Sequence, residues 1–568
     1  LFLSSILFKP FATAFETAMK KKLHVGQNPI FEDGNSVHGQ QDSMGGEDFY
    51  CIANYNRMRP FLMSIVSGSD HWMFISSNGA LTAGRGSPDL ALFPYYTDDK
   101  IHDSAEITGS KTVMTICRQG RDYLWEPFSD RYTGIYRIER NLYKNFTGNK
   151  LIFEETNLDL GLTFCYGWFN SDQFGFVRKA WLTNSGTVAL RINLLDGIQN
   201  LMPCGIGSQF QLEKSTLIDA YKKNELVEAT GLGLFALSAI PVDRPEPAEA
   251  LKTTAVWSIG LPRRATLLSS VQLDHFRRGQ AVRTENDVRA ERGAYFVNAE
   301  ISLRHGQSVD WLVVADVNQG PSQIAKINRY LRRPKLLQKL VETDIDRGTA
   351  DLRKLVASAD GFQKSGQSLR NARHFGNALF NIMRGGVFAD GYQIDPADLL
   401  AFVGHANHEV AASYAAFFRK LGKTTRLSHL LKMACKTGDA NLERLCREYL
   451  PLTFSRRHGD PSRPWNRFSI ATRNADGSRV LNYEGNWRDI FQNWEALAVS
   501  FPGFTSGMIC RFVNASTADG YNPYRIARDG IDWEIVDPHD PWSHIGYWGD
   551  HQIIYLLKLL EVLKSHEP

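Results

Sequence analysis

The sequence holds little that would tie it to a metal, a membrane or a nucleic acid. Its seven cysteines (Cys51, Cys117, Cys165, Cys204, Cys435, Cys446, Cys510) form no CxxC pair and are odd in number. That pattern excludes a zinc ribbon and favours reduced thiols in a cytoplasmic protein over a disulfide framework. A net charge of +4 on 568 residues gives no basic field for nucleic acid or anionic lipid. No apolar run approaches the roughly 20 residues of a membrane helix. Leu1 to Phe8 is too short, and its lysines follow where a secretory signal would place them first. The GLGL at Gly231 to Leu234 lacks the glycine spacing of a dinucleotide fingerprint. His405, His408 and Glu409 in HANHEV do not match HExxH and read as a helix surface, so no metal or organic cofactor is expected.

What is present is concentrated near the end. Six of the twelve tryptophans (Trp465, Trp487, Trp494, Trp533, Trp542, Trp548) fall among Asp, Glu, Arg, His and Asn. Apolar cores are built from Leu, Ile and Val, and solvated surfaces from Lys and Glu, so this mixture matches neither. Flat rings such as Trp487, Tyr521 and Trp548 can cover the C–H faces of a sugar while charged groups bind its hydroxyls.

Length alone argues for two large domains or three to four small ones. From 25 to 320 the texture is β: short runs such as KTVMTIC, LIFEETNLDLGLTFCYGWF and VDWLVVADV separated by Asn, Gly and Asp turns. No βαβ rhythm intervenes, which predicts a large antiparallel β-sandwich. LTNSGTVALRINLLDG reads as two strands joined at Asn184-Ser185-Gly186. Ser77 to Ile101 departs from strand texture and reads as a long loop bearing Arg85, Asp89, Tyr95, Tyr96, Asp98 and Asp99, either a surface loop or one carried to the rim of a site. Residues 321–360 turn helical and highly charged, with Pro334 as a break, and are expected to be a polar linker more than a core element. Residues 361–568 carry helix-length segments separated by polar loops, with Asp395-Pro396 as a cap followed by an N1 proline. They predict an (α/α)6-toroid-like helical domain, giving an α+β multidomain protein. Residues 1–24 read as a remnant or an N-terminal helix, and both ends of the chain look cut.

Within that second half, Arg488 and Asp489 open a helix, with Gln492 and Asn493 one turn on. Such a cluster offers donors and acceptors to vicinal hydroxyls; a dipole-stabilising Asp and a surface Arg are the alternative. YEGNWRDIFQNWEALAV resembles the WRDxxQD segment of glycoside hydrolase family 94, the cellobiose phosphorylase family. HIGYWGDHQIIYLLKLLE is similar to that family's later helix start, and PYYTDD to its early loop. The resemblance runs from about Gly26 onward and implies that Arg488 and Asp489 bind donor-sugar hydroxyls with Gln492 beside them. Asn493 stands where the family has a second Asp, which implies a remote branch with altered sugar preference.

The implied reaction is inverting phosphorolysis of a β-linked gluco-oligosaccharide, in a homodimer, with inorganic phosphate as co-substrate and sugar 1-phosphate as product. One carboxylic acid protonates the glycosidic oxygen while phosphate attacks the opposite face, so no second carboxylate is needed to activate water. The family's acid lies in a WND-type motif that Asp532-Trp533-Glu534 does not match, so it is expected beyond Pro568, with Asp550 and Glu534 as in-chain candidates. Asp537 and Asp540 share the loop of Asp532 and Glu534. Arg456, Arg457, His458 and Arg463 are candidates for phosphate, or else a solvated basic loop. Two rival readings stay open. One is an inverting hydrolase using two of Asp489, Glu495, Glu534 and Asp550 held roughly 6.5–9.5 Å apart. The other is a carbohydrate-binding protein without catalysis.

Overall fold

In the computed structural model the described residues are 23–31, 36–239, 241, 250–455, 461–462, 469–474, 477–533, 547–548 and 551–566. The side chains of Trp487, Arg488, Tyr547, Trp548, His551 and Gln552 are outside that description. The first half is a stack of antiparallel sheets. An eleven-stranded sheet runs from Asp287–Arg289 at one edge to His38–Met44 at the other, with Ser308–Gln319, Gly175–Asn184 and Leu162–Ser171 at its centre. A five-stranded sheet centred on Leu190–Leu201 packs against it, and a four-stranded sheet from Leu62–Ile65 to Ala91–Phe93 closes one end of the same core. Alternating inward residues, such as Arg178, Ala180 and Leu182, are what the period of two demands when one face is buried.

The strands predicted on either side of Asn184-Ser185-Gly186 exist, but they lie in different sheets. Instead of a hairpin, the connection crosses between layers: Ser185 and Gly186 both donate backbone N–H to Gly161 O at 2.9 Å, and the Asn184 amide reaches Val188 O and Leu303 O. GLGL sits at a hairpin, with Gly231 at φ +74° opening the strand Leu232–Leu237.

Ser77 to Ile101 is not a long loop. It contains the strands Leu81–Arg85 and Ala91–Phe93 and the start of the helix Asp98–Asp103. Its glycines and prolines masked two short strands whose apolar residues, Leu81, Ala83, Leu92 and Phe93, are buried. Arg85 turns inward to Asp316 and Asp70, each at 2.7 Å, and Asp89 accepts from Ser208 N and Oγ.

The connector is two helices, Pro321–Leu331 and Pro334–Ala357, each with proline in its first turn. It is a core element for both halves, contrary to the polar linker its charge predicts. Leu337 and Val341 pack on the outer face of the eleven-stranded sheet with Trp257, Leu312 and Val314; Leu352 and Val356 pack on Phe375, Leu379 and Ile382 of the helix Ser368–Gly385. All four are fully buried, a contribution of about 1.5–3 kcal/mol each. Buried Asp344 accepts from Ser171 Oγ at 2.5 Å and Gln173 N at 3.0 Å, fixing the helix against the sheet.

The second half is helical around one apolar core. Asp395 caps Pro396–Ala406 by accepting from Ala397 N at 2.8 Å. The run that follows breaks into the short helices His408–Ser413 and Ala415–Lys420, because Asn407 leaves helical geometry to cap the next segment. The helix Trp487–Ser500 packs against both Ser368–Gly385 and His551–His566.

Candidate functional site

Short strands assemble a patch at the start of the helix Trp487–Ser500. The strand Glu484–Asn486 runs directly into that helix and pairs antiparallel with Arg525–Ala527, which pairs in turn with Gly530–Asp532. The register sets Asn486 opposite Arg525, and Arg525 opposite Asp532. Three residues before Arg525 ends the strand Tyr521–Asn522, paired with Tyr547–Trp548 so that Tyr521 faces Trp548. Backbone pairing thus gathers three stretches that are far apart in sequence.

Two features stand on this patch. The Arg525 guanidinium lies between two carboxylates, with Nη1 2.9 Å from Glu484 Oε1 and Nε 2.5 Å from Asp532 Oδ2. All three side chains keep part of their surface in solvent. Beside them Tyr521 and Trp533 stack with centroids 5.7 Å apart and planes within 3°, and the indole is 38% exposed. With Asp489, partly exposed in the helix's first turn, the described side chains sum to net negative. Carboxylates of this kind accept hydrogen bonds from hydroxyls.

The other candidates separate. Gln492 is exposed, whereas Asn493 is 4% exposed and donates to Asp489 O at 2.5 Å. A Cβ on Gly385 would come within 3.0 Å of Asn493 Cβ and Trp494 Cδ1. Asn493 therefore belongs to the inward stripe Ile490, Asn493, Trp494, Leu497. Trp494 is likewise a core residue, fully buried with Nε1 donating to Gly385 O at 2.8 Å. Glu495 holds Lys558 of the last helix at 2.8 Å. His405 Nε2 meets Asp529 O at 2.9 Å. The side chains of Trp487, Arg488 and Trp548, and the whole of Arg456, Arg457, His458, Arg463, Trp465, Glu534, Asp537, Asp540, Trp542 and Asp550, lie outside the described residues.

Sequence reasoning missed Arg525 and the supports of its hairpin. Arg528 donates to Leu481 O at 2.6 Å and Asp398 Oδ2 at 2.8 Å, and Asp398 also accepts from Tyr449 Oη at 2.5 Å. Burial, with Asp398 beside it, pushes the Tyr449 phenol well above its usual range, so it stays a donor. Arg511 donates to Ala527 O and Arg528 O behind the same hairpin. The one available signal was RIARDG, in which one arginine opens the strand and a second begins the turn.

The sandwich reaches toward this region through the loop before Tyr483. Ile470 N donates to Gly86 O at 2.7 Å, Asp98 N to Pro461 O at 3.2 Å, and Ile470 packs on Trp72 and Ala91. A 470 Å³ cleft bearing Lys354, Arg473 and Arg479 lies where the two halves meet.

Residues 388–451 match the model of glycoside hydrolase family 149 insertion domain 1. That segment supplies Asp398 and Tyr449 to the hairpin's support. No curated protein matches the chain significantly in sequence. Among solved structures, a bacterial glucoamylase complexed with acarbose is 12% identical over 90% of this chain and 65% of its own, with a TM-score of 0.37. A protein assigned as a kojibiose phosphorylase from the human microbiome is 8% identical over 84% of this chain and 45% of its own, with a TM-score of 0.23. One assigned as an aldose 1-epimerase from Escherichia coli K12 is 11% identical over 46% of this chain and 99% of its own, with a TM-score of 0.26. The chain thus spans less than two thirds of the glucoamylase and less than half of the phosphorylase it is similar to.

Proposed function

We propose that the chain belongs to a carbohydrate-active enzyme of the glycoside phosphorylase type, which cleaves a β-linked gluco-oligosaccharide with inorganic phosphate by inversion. The observation that carries this reading is the Arg525 pair with Glu484 and Asp532 standing beside the stacked Tyr521 and Trp533. A stacked aromatic plate next to hydroxyl-accepting carboxylates is the chemistry a pyranose ring asks for. The match of residues 388–451 to an inserted module of a glycoside hydrolase family supports the same class.

In this reading Asp489, Glu484 and Asp532 accept hydrogen bonds from sugar hydroxyls, and Arg525 holds the two flanking carboxylates ionised and aligned. The in-chain candidates for proton donor adjoin the patch in sequence: Glu534 follows Trp533, and Asp550 comes two residues after Trp548. Phosphate would approach from a basic surface such as the loop of Arg456, Arg457 and Arg463.

The test is product analysis with a gluco-oligosaccharide, with and without phosphate. Sugar 1-phosphate formed only when phosphate is present is the expected result. Equal release of free reducing sugar without phosphate would establish hydrolysis instead, and binding without turnover would leave a carbohydrate-binding protein.

A further inference from the structure

A second site lies where the sandwich meets the helical half, away from the aromatic patch. Lys144 is on the strand Ile138–Asn145, between Tyr50 on one side and Leu151 on the other. Its Nζ donates to Ser64 O at 2.9 Å, and among the described residues it has no carboxylate partner. Burial pushes its amine down to about 8. Lys144 borders a 370 Å³ cavity whose walls include Ile52, Met63 and Leu142 from the sheets and Leu369, Gly376 and Phe380 from the helix Ser368–Gly385. Arg373 also borders the cavity and is exposed, and Phe380 is 48% exposed, so the cavity opens to solvent on the helix side. A Cβ on Gly376 would meet no atom within 4 Å, as expected of a wall facing open space.

We propose that this cavity binds a small organic carboxylate with a hydrocarbon body, its carboxylate pairing with Lys144 and its chain lying against the apolar walls. Lys144 is half-buried, and a cation partly withdrawn from water with only a neutral carbonyl against it gains from a nearby counter-charge. An entering carboxylate supplies the missing charge, and the apolar lining rewards a hydrocarbon tail. Arg373 is the other cation bordering the cavity and adds attraction for an anion. The volume fits a ligand at the small end of the usual range of roughly 300–1,000 Å³.

Calorimetric titration of the whole chain with octanoate, octanamide and acetate tests this. Octanoate should bind at least tenfold more tightly than either of the others, since each lacks one half of the recognition. Lys144→Met should abolish the preference for octanoate over octanamide. Gly376→Leu, which fills the cavity on a helix that tolerates leucine better than glycine, should abolish binding of both without lowering the unfolding temperature. The titratable groups bordering the cavity are Lys144, Tyr50 and Arg373. Octanoate affinity should therefore fall as pH rises through about 8, where Lys144 loses its proton. Octanamide binding as tightly as octanoate, unchanged octanoate binding by Lys144→Met or Gly376→Leu, or no octanoate binding at all would each overturn the proposal.

Discussion

The ring of Tyr521 lies flat against the indole of Trp533, parallel within 3° and 5.7 Å between centroids, although the two residues sit on opposite sides of the Arg525 hairpin. The exposed indole face makes the pair a platform more than a core contact. Trp533→Ala should weaken oligosaccharide binding by about 0.5–1.5 kcal/mol, roughly two- to tenfold in KM. Thermal stability should hardly move, because the indole is partly solvated already. Steady-state kinetics beside a melting curve separates the two.

Arg525 offers a sharper test, because it holds two carboxylates at once. Arg525→Met leaves Glu484 and Asp532 mutually repelling, and should lower kcat/KM by at least tenfold with a stability loss of about 0.5–2 kcal/mol. Arg525→Lys should recover stability better than activity, since an ammonium cannot reproduce the planar fork.

Within the sandwich, Arg178 and Asp196 bridge the two sheets at 2.8 Å with neither side chain exposed, and Asp196 also accepts from Thr112 Oγ1 and Trp311 Nε1. Asp196→Ala strands a buried guanidinium and should cost about 3–5 kcal/mol in chemical denaturation. Replacing both partners by apolar residues of similar volume should cost clearly less.

Acid should unfold the sandwich through Glu106 and Glu126. Burial raises the Glu106 carboxyl, but Lys111, Ser129 and Asp130 N together bring it from 4.5 down to about 2. Glu126, also opposed by burial, is held below its usual range by Arg277 and Lys111. Depressed carboxyls stabilise the fold above the unfolded value near 4.5, and that stabilisation is lost as pH falls toward about 2. Melting temperature followed from pH 6 to about pH 2 should show this decline, and Glu106→Gln should flatten it.

Much of the architecture was legible because it is local. Period-two runs marked the strands, Pro334 marked the break between the connector helices, and Asp395-Pro396 marked a helix start. What misled was local as well. Gly79, Gly84 and Gly86 suggested a loop where Leu81–Arg85 is a strand, and charge on residues 334–357 hid a fully buried stripe through Leu337, Val341, Leu352 and Val356. Charged side chains dominate composition, whereas four residues at helical spacing are enough to bury one face.

At the candidate site the same division holds. The density of aromatic and ionic residues near the end pointed to a saccharide, but composition does not say which residues meet. Trp494, Asn493 and Glu495 share the stretch with Asp489, yet helix packing turned the first two inward and gave the third to Lys558.

By itself, then, the sequence determined the order of β half, connector and helical half, since backbone periodicity and proline placement act over a few residues. Only the tertiary structure decided that Arg525 would lie between Glu484 and Asp532, or that Lys144 would border an apolar cavity with no carboxylate partner among the described residues. Those arrangements depend on strand register and on how a helix docks against a sheet, and both are set by contacts between residues distant along the chain.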